Sequence, residues 1–406
     1  MKLDRRTFLG ALAAAPAVLK GAEEKVVPEW EKPVFHLHKQ VSEPVKIERI
    51  ELLRNGSNWF VRTRSADGAE GIVRTKQVED YVDILLKRVA PHYIGKDARD
   101  LESLVDLAYI KNYKNAGQSL FCPIAYIEES LFDLLGKTVE KPAYELMGGA
   151  VRKEIGVYLS GSGRDTTAEE EVDVYVRGVE ATGARGVKFK IGGRMSRNLD
   201  AYPGRTPKLL ELARKRLGED VILYADANGS YDAKKAIDVG RRMEELDYRF
   251  FEEPCPWQEY DETQTVSRAL RIPVAAGEMD SSLWQFDWML RNEVMTIAQP
   301  DLNYNGGFVR AARVARMAEK YGRKITPHNT QTGAGATNML HFCAATKNIG
   351  ELMEFAWRKP RKPESWYGPF LDVVDGVIPV PTGPGLGVEI DPEYLRKAET
   401  VGAVEA

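Results

Sequence analysis

The stretch GVKFKIGG, residues 186–193, places Lys188 and Lys190 two positions apart in what reads as a β-strand. Residues i and i+2 of a strand point to one face, so two mutually repelling ammonium groups are aimed at one place. Other strand-like segments close on a polar residue. Asp226 ends LYAD, Glu252 lies in FFEEP, Glu278 ends AAGE, Asp301 follows AQP, His328 follows TP, and Glu354 lies in LMEF. Successive members lie 26, 26, 23, 27 and 26 residues apart. A near-constant step of one βα unit sets each at the same height on successive strands. That height is the C-terminal rim, where barrel active sites lie. A single acid at a strand end serves as well for a helix cap or a surface charge; the regular series is what points to a site. Asp226, Glu252 and Glu278 fall on three adjacent strands and would converge. Carboxylates held together repel unless they take up protons or bind a cation. Three hard oxygen donors, with no Cys or His among them, suit Mg²⁺, with Mn²⁺ as a substitute and zinc disfavoured.

Positioning such a ladder requires a repeating frame, and the sequence supplies one. From about Val151, eight short apolar strands alternate with amphipathic helices: IGVYLS, GVKFKI, VILYADAN, RFFEEP, PVAAGE, TIAQPD, KITPH and LMEF. This rhythm predicts an α/β fold built on a parallel (β/α)8-type, modified TIM barrel. Ahead of it, VKIERIELLRN and WFVRTRSADGAEGI alternate and break at Asn-Gly and Asp-Gly, as an antiparallel meander does. Residues 76–147 read as helical. Ile124, Ile127, Leu131 and Leu134 recur at helical spacing, and Gly136 is placed to end that helix. The expected units are an N-terminal α+β capping domain (45–150), a barrel domain (151–370), and a C-terminal segment (371–406) that packs back to complete the capping domain.

The 406-residue chain has 43% hydrophobic and 29% charged residues and a formal charge of −3. Such a balance fits a globular enzyme and gives no basic stripe for nucleic acid. Three scattered cysteines, Cys122, Cys255 and Cys343, suggest buried thiols rather than a disulfide scaffold or zinc site. The first 22 residues read as a signal peptide. Arg5 and Arg6 precede an apolar run from about Phe8 to Leu19, too short to span a bilayer, and RRTFLG resembles a twin-arginine signal. The expectation is export to the periplasm or another extracytoplasmic space, with no membrane anchor in the mature chain.

Over about residues 45–392 the chain resembles the mandelate racemase subgroup of the mandelate racemase/muconate lactonizing enzyme family, in the enolase superfamily. ESLFDLLGKTVEKPAYELMGG, then KFK, DAN, FEEP, GE, QPD and PH in order at the expected strand ends, carry the resemblance. It implies Mg²⁺ held by Asp226, Glu252 and Glu278. Glu253 is the ambiguous neighbour; the family's ligand is the first acid of its motif, which leaves Glu253 turned toward the helical side. The resemblance makes Lys190 the catalytic base that takes the proton α to a carboxylate, and Lys188 its companion. A free lysine has a pKa of about 10.4 and is a poor base; a neighbouring ammonium and a dication lower it. His328 and Asp301 match the subgroup's His–Asp dyad, facing the substrate opposite Lys190. Glu354 matches the group that hydrogen-bonds the developing enediolate, for which it must stay protonated. Asn228 is a supporting contact near the metal.

The resemblance favours dehydration of a sugar acid to a 2-keto-3-deoxy acid. Racemisation or epimerisation, and cycloisomerisation of a sugar lactone, would use the same residues. Two readings of other classes stay open: a non-catalytic, metal-dependent sugar-acid-binding protein, and a Schiff-base aldolase. Candidates for substrate contacts are Arg54, Asn55 and Trp59 in LRNGSNWF, and Arg358 with Lys359 in WRKPRK. Arg54 or Arg358 could pair with a second carboxylate. The long connection after Lys190, GGRMSRNLDAYPGRTPK, would add substrate contacts or an oligomer surface. A homo-oligomer is expected from the resemblance alone.

Overall fold

The structure, a computed structural model, describes residues 27–406; the signal-peptide reading lies outside the described residues. Strands β1 (Ile47–Asn55), β2 (Asn58–Ser65) and β3 (Glu70–Arg74) form an antiparallel meander. The helix Gln118–Thr138 packs across it. Every residue of that helix from Leu120 to Gly136 is buried, acids included. Buried carboxylates need partners. Asp133 accepts the backbone N–H groups of Ile72 and Leu386 at 2.8 and 2.7 Å, which ties the sheet and the C-terminal segment to the helix. Gly136 does not end the helix, which continues to Thr138. A Cβ there would lie 2.6 Å from Gly385 Cα and Lys141 O, so this position serves close approach rather than termination.

Eight strands follow: β4 (Glu154–Ser160), β5 (Gly186–Lys190), β6 (Ile222–Asp226), β7 (Tyr248–Glu252), β8 (Val274–Ala276), β9 (Ile297–Ala298), β10 (Lys324–Ile325) and β11 (Met353–Ala356). They pair in parallel in the order β10-β9-β8-β7-β6-β5-β4-β11. An isolated parallel bridge joins Ile325 of β10 to Ile349, in the stretch that leads into β11. Helices after β4 to β10, from Ala168–Thr182 to Thr337–Ala345, form the outer layer. The first begins in a capping box, Thr167 with Glu170. Inside the barrel, Tyr158, Tyr224 and Phe250 plug the space below the rim, Tyr224 stacking on Phe250 at 4.1 Å between centroids. With these side chains packed inside it, the barrel is a core rather than a pore beneath the rim.

Residues 371–406 do not all return to the capping domain. After β12 (Tyr367–Gly368), β13 (Val377–Pro379) pairs antiparallel with the start of β4 in the barrel, and β14 (Glu389–Ile390) pairs with β12. Only β15 (Glu399–Glu405) joins the capping sheet, beside β1. The start of β4, Glu154 to Gly156, pairs with neither β5 nor β11, and its backbone groups are met by β13 instead. All three cysteines are buried and unpaired. Among the described residues, no helix is long and apolar enough to cross a membrane.

Candidate active site

Strand register builds the site. Lys190, Asp226 and Glu252 are direct partners across β5, β6 and β7, so their side chains leave neighbouring strands at one level. Asp226, Glu252 and Glu278 each offer an oxygen, and these oxygens lie within 4.8 Å of one another. Lys190 Nζ donates to Asp226 Oδ2. Lys188 Nζ, fully buried, reaches both oxygens of Glu252 at 2.7 Å and Glu354 Oε1 at 2.9 Å. The repelling pair of lysines is therefore held by acids on three strands.

Burial opposes the charge on Lys188, but Glu252 and Glu354 override it and carry its pKa well above the ordinary lysine value. Burial likewise opposes ionisation of Asp226, and Lys190 and Lys188 outweigh it, holding that carboxyl well below its usual range. Glu252 goes the other way. Burial, with the Asp226 and Glu354 charges, pushes it up to about 8 against the pull of Lys188. Glu253 is also pushed far up, by burial and then by Glu278 and Asp226. The rim thus holds more carboxylates than its lysines neutralise. Three oxygen donors with such a surplus of negative charge fit a hard divalent cation.

On the far side, His328 Nδ1 lies 2.8 Å from Asp301 Oδ2, and Nε2 lies 3.2 Å from Glu278 Oε2. Burial disfavours its cation, yet Glu278, Glu354 and Asp301 raise its pKa above the ordinary value. Asp301 also receives Lys76 Nζ at 3.0 Å and the backbone N–H groups of Asn303 and Tyr304. Lys76, from the capping domain, lies 4.0 Å over the Tyr304 ring.

Lys190, His328, Glu278 and Glu354 line one cavity of about 700 Å³, together with Lys76, Tyr304 and Arg358. Several expected contacts are elsewhere. Arg54 bonds Gly56 O and lies over Trp59; Asn55 bonds Tyr394 O. These three sit at the turn between β1 and β2, which the C-terminal segment covers, and none lines the cavity. Asn228 does not line it either; it donates to Glu253 Oε2 at 3.2 Å and accepts from Arg194 at 3.3 Å. Glu253 therefore stays beside the acidic rim rather than turning to the helices. Glu354, expected to be protonated, is held down to about 2. Burial opposes that ionisation, but Lys188 and then His328 overcome it.

Sequence reading missed three partners. Lys76 is 225 residues from Asp301 and gives no local signal. Gln299 Nε2 donates to Glu252 Oε2 at 2.8 Å; its place two before Asp301 in QPD could have revealed that it shares a face with the ladder. Asn329 gives its backbone N–H to Glu354 Oε2 at 3.1 Å, directly after His328.

A barrel with a capping domain, presenting an acidic ladder, two lysines and a His–Asp pair at its rim, defines the class. Residues 33–148 match the mandelate racemase/muconate lactonizing enzyme N-terminal domain, and residues 171–394 match the enolase C-terminal domain-like family. The chain belongs to the mandelate racemase/muconate lactonizing enzyme family of the enolase superfamily, and it is an enzyme. It is 28% identical to an arabinonate dehydratase of Saccharolobus solfataricus over 77% of this chain and 82% of that one. It is 30% identical to a D-galactarolactone cycloisomerase of Agrobacterium fabrum over 75% and 81%. A solved mandelate racemase/muconate lactonizing protein from Paracoccus denitrificans superposes with a TM-score of 0.81 at 28% identity, covering 88% of this chain and 100% of that one. A second structure from that organism, complexed with magnesium, gives 0.80 at 27% identity, covering the same 88% and 100%.

Proposed function

We propose that the enzyme dehydrates a sugar acid to a 2-keto-3-deoxy acid with the help of Mg²⁺. One observation carries this reading: Lys190 and His328 line the same cavity from nearly opposite strands, β5 and β10, with the ladder of β6 to β8 between them. Asp226, Glu252 and Glu278 would hold the cation. When bound, it would supply the positive charge that a substrate carboxylate and its enediolate require.

Lys190, in its neutral form, takes the proton from the carbon next to the carboxylate, and the C–H electron pair moves into the enediolate. Lys188 keeps Glu252 and Glu354 in place below. His328, whose cation Asp301, Glu278 and Glu354 favour, gives a proton to the departing 3-hydroxyl. The C3–O bond breaks, water leaves, and the enol becomes the 2-keto acid. Lys76 and the two backbone N–H groups on Asp301 fix the carboxylate that orients the imidazole. The names of the dehydratase relatives support this direction. Cycloisomerisation of a lactone is the second reading, favoured by the relative at 30% identity.

The N-terminal Arg5–Arg6 sequence supports export of the chain, and we read the working protein as an extracytoplasmic homo-oligomer. The test of the reaction is incubation of purified protein and Mg²⁺ with a panel of sugar acids in D₂O. Formation of 2-keto acid, abolished by chelation and restored by Mg²⁺, is the expected result. Epimer or α-deuteration without keto acid would transfer the assignment to racemisation.

A further inference from the structure

The cavity wall above β11, β4 and β5 is lined by basic side chains and lacks acids. Arg194 follows β5, and Arg358, Lys359 and Arg361 follow β11, with Ser162 between them after β4. The two acids that line the cavity, Glu278 and Glu354, belong to the reaction centre. Most cavity cations are matched: Lys190 by Asp226, Lys76 by Asp301, and Arg358 by the fully buried Glu171, both of whose oxygens lie 2.7 and 2.8 Å from Arg358 Nη1. Arg361 reaches Glu364 at 3.6 Å. Among the described residues, Arg194 and Lys359 have no acidic partner.

Two features make this wall a prepared one. Glu171 clamps Arg358 over Gly161 and Gly163; a Cβ at Gly163 would meet Arg358 Nη1 at 2.5 Å, so only a bare backbone leaves the guanidinium its place. Arg194 holds a left-handed backbone, φ 58°, which costs energy for a side-chain-bearing residue. Its N–H is fixed by Ser230 Oγ at 2.9 Å, and its guanidinium by Asn228 at 3.3 Å. Arg194 thus stands at the cavity edge on a fixed backbone, its guanidinium held by a neutral amide and open to an anion in the cavity.

We propose that this wall is a subsite for a second anionic group, so that the substrate is a sugar acid charged at both ends. Arg194 and Lys359 contact the distal group directly, and Arg358, its charge met by Glu171, closes the wall as a fixed guanidinium. The inference rests on the dehydration reading and names the substrate class for it. Two sources supply that chemistry: the second carboxylate of an aldarate, which we favour, or the phosphate of a phosphorylated aldonate.

The experiment compares kcat/KM for an aldarate, the aldonate of the same configuration and its terminal phosphate ester, with Mg²⁺ present. A preference for either dianion over the aldonate of about tenfold or more is expected from charge-assisted hydrogen bonds. The better dianion identifies the source. Arg194→Gln and Lys359→Gln should each raise KM for that dianion by about tenfold, and Arg194→Lys should recover most of the loss. Equal or better use of the neutral-ended aldonate overturns the subsite and leaves dehydration standing. An equal rise in KM for aldonate and dianion in Arg194→Gln also overturns it. If none of the three acids yields keto acid or exchanges its α-proton, over the wider panel as well, the dehydration reading fails and this inference with it.

Discussion

His328 and His341 are both buried, yet their surroundings push them in opposite directions. His328 stands at the barrel rim among Asp301, Glu278 and Glu354, and its cation is favoured. His341 lies in the helix Thr337–Ala345, where barrel, capping domain and C-terminal segment meet. Its Nε2–H donates to Leu386 O at 3.0 Å, and its Nδ1 accepts the Tyr144 N–H at 3.3 Å. Both nitrogens are satisfied only in the neutral ring. Burial, barely opposed by the Leu386 carbonyl, lowers its pKa to about 4. Burial is common to the two; neighbouring charge decides the outcome. The rim concentrates charge that serves chemistry, whereas at the seam burial and two backbone partners keep His341 neutral.

Lys188→Met breaks the comparison most strongly. It leaves Glu252 and Glu354 without their shared cation inside the barrel. Urea unfolding in the presence of chelator, at neutral pH, should show a loss of about 3 kcal/mol or more. An unchanged midpoint would mean that the lysine is not needed to balance the rim.

The seam gives the next effect, through pH. The folded chain resists protonating His341 until about pH 4, whereas the unfolded chain binds that proton from about pH 6.5 downward. Its contribution is fully present above about pH 6.5, shrinks as pH falls, and is gone below the folded value. The difference is worth about 3 kcal/mol across that window. Unfolding at neutral pH and at about pH 5 captures about 2 kcal/mol of it, and His341→Gln should flatten the slope. An unaltered slope in that variant would assign the dependence to other groups.

The two regions also differ in how far sequence reveals them. The rim was legible because each strand delivers its polar residue once per βα unit. The same regularity announced the eight strands and the acidic cluster. What crosses between domains was not legible. Lys76 reaches Asp301 only because the capping domain closes over the barrel. Gly136 looked like a helix end, but its bare backbone admits Gly385 from the far end of the chain. Arg54, Asn55 and Trp59 are candidates by residue type, but the fold spends them on the hairpin turn and Tyr394. The resemblance implies a protonated Glu354; Lys188, 2.9 Å away, favours its anion instead. Local periodicity specifies elements and their ends, but not which distant side chain will neutralise a charge.

The central claim is that Lys190 and His328 act on one substrate from two sides. Its most direct test follows α-proton exchange and keto-acid formation together, in D₂O, for Lys190→Ala and His328→Asn. The account predicts that each substitution lowers keto-acid formation by about 100-fold or more, with Lys190→Ala also losing exchange and His328→Asn retaining it. Keto acid formed at near wild-type rates by either variant would contradict the account.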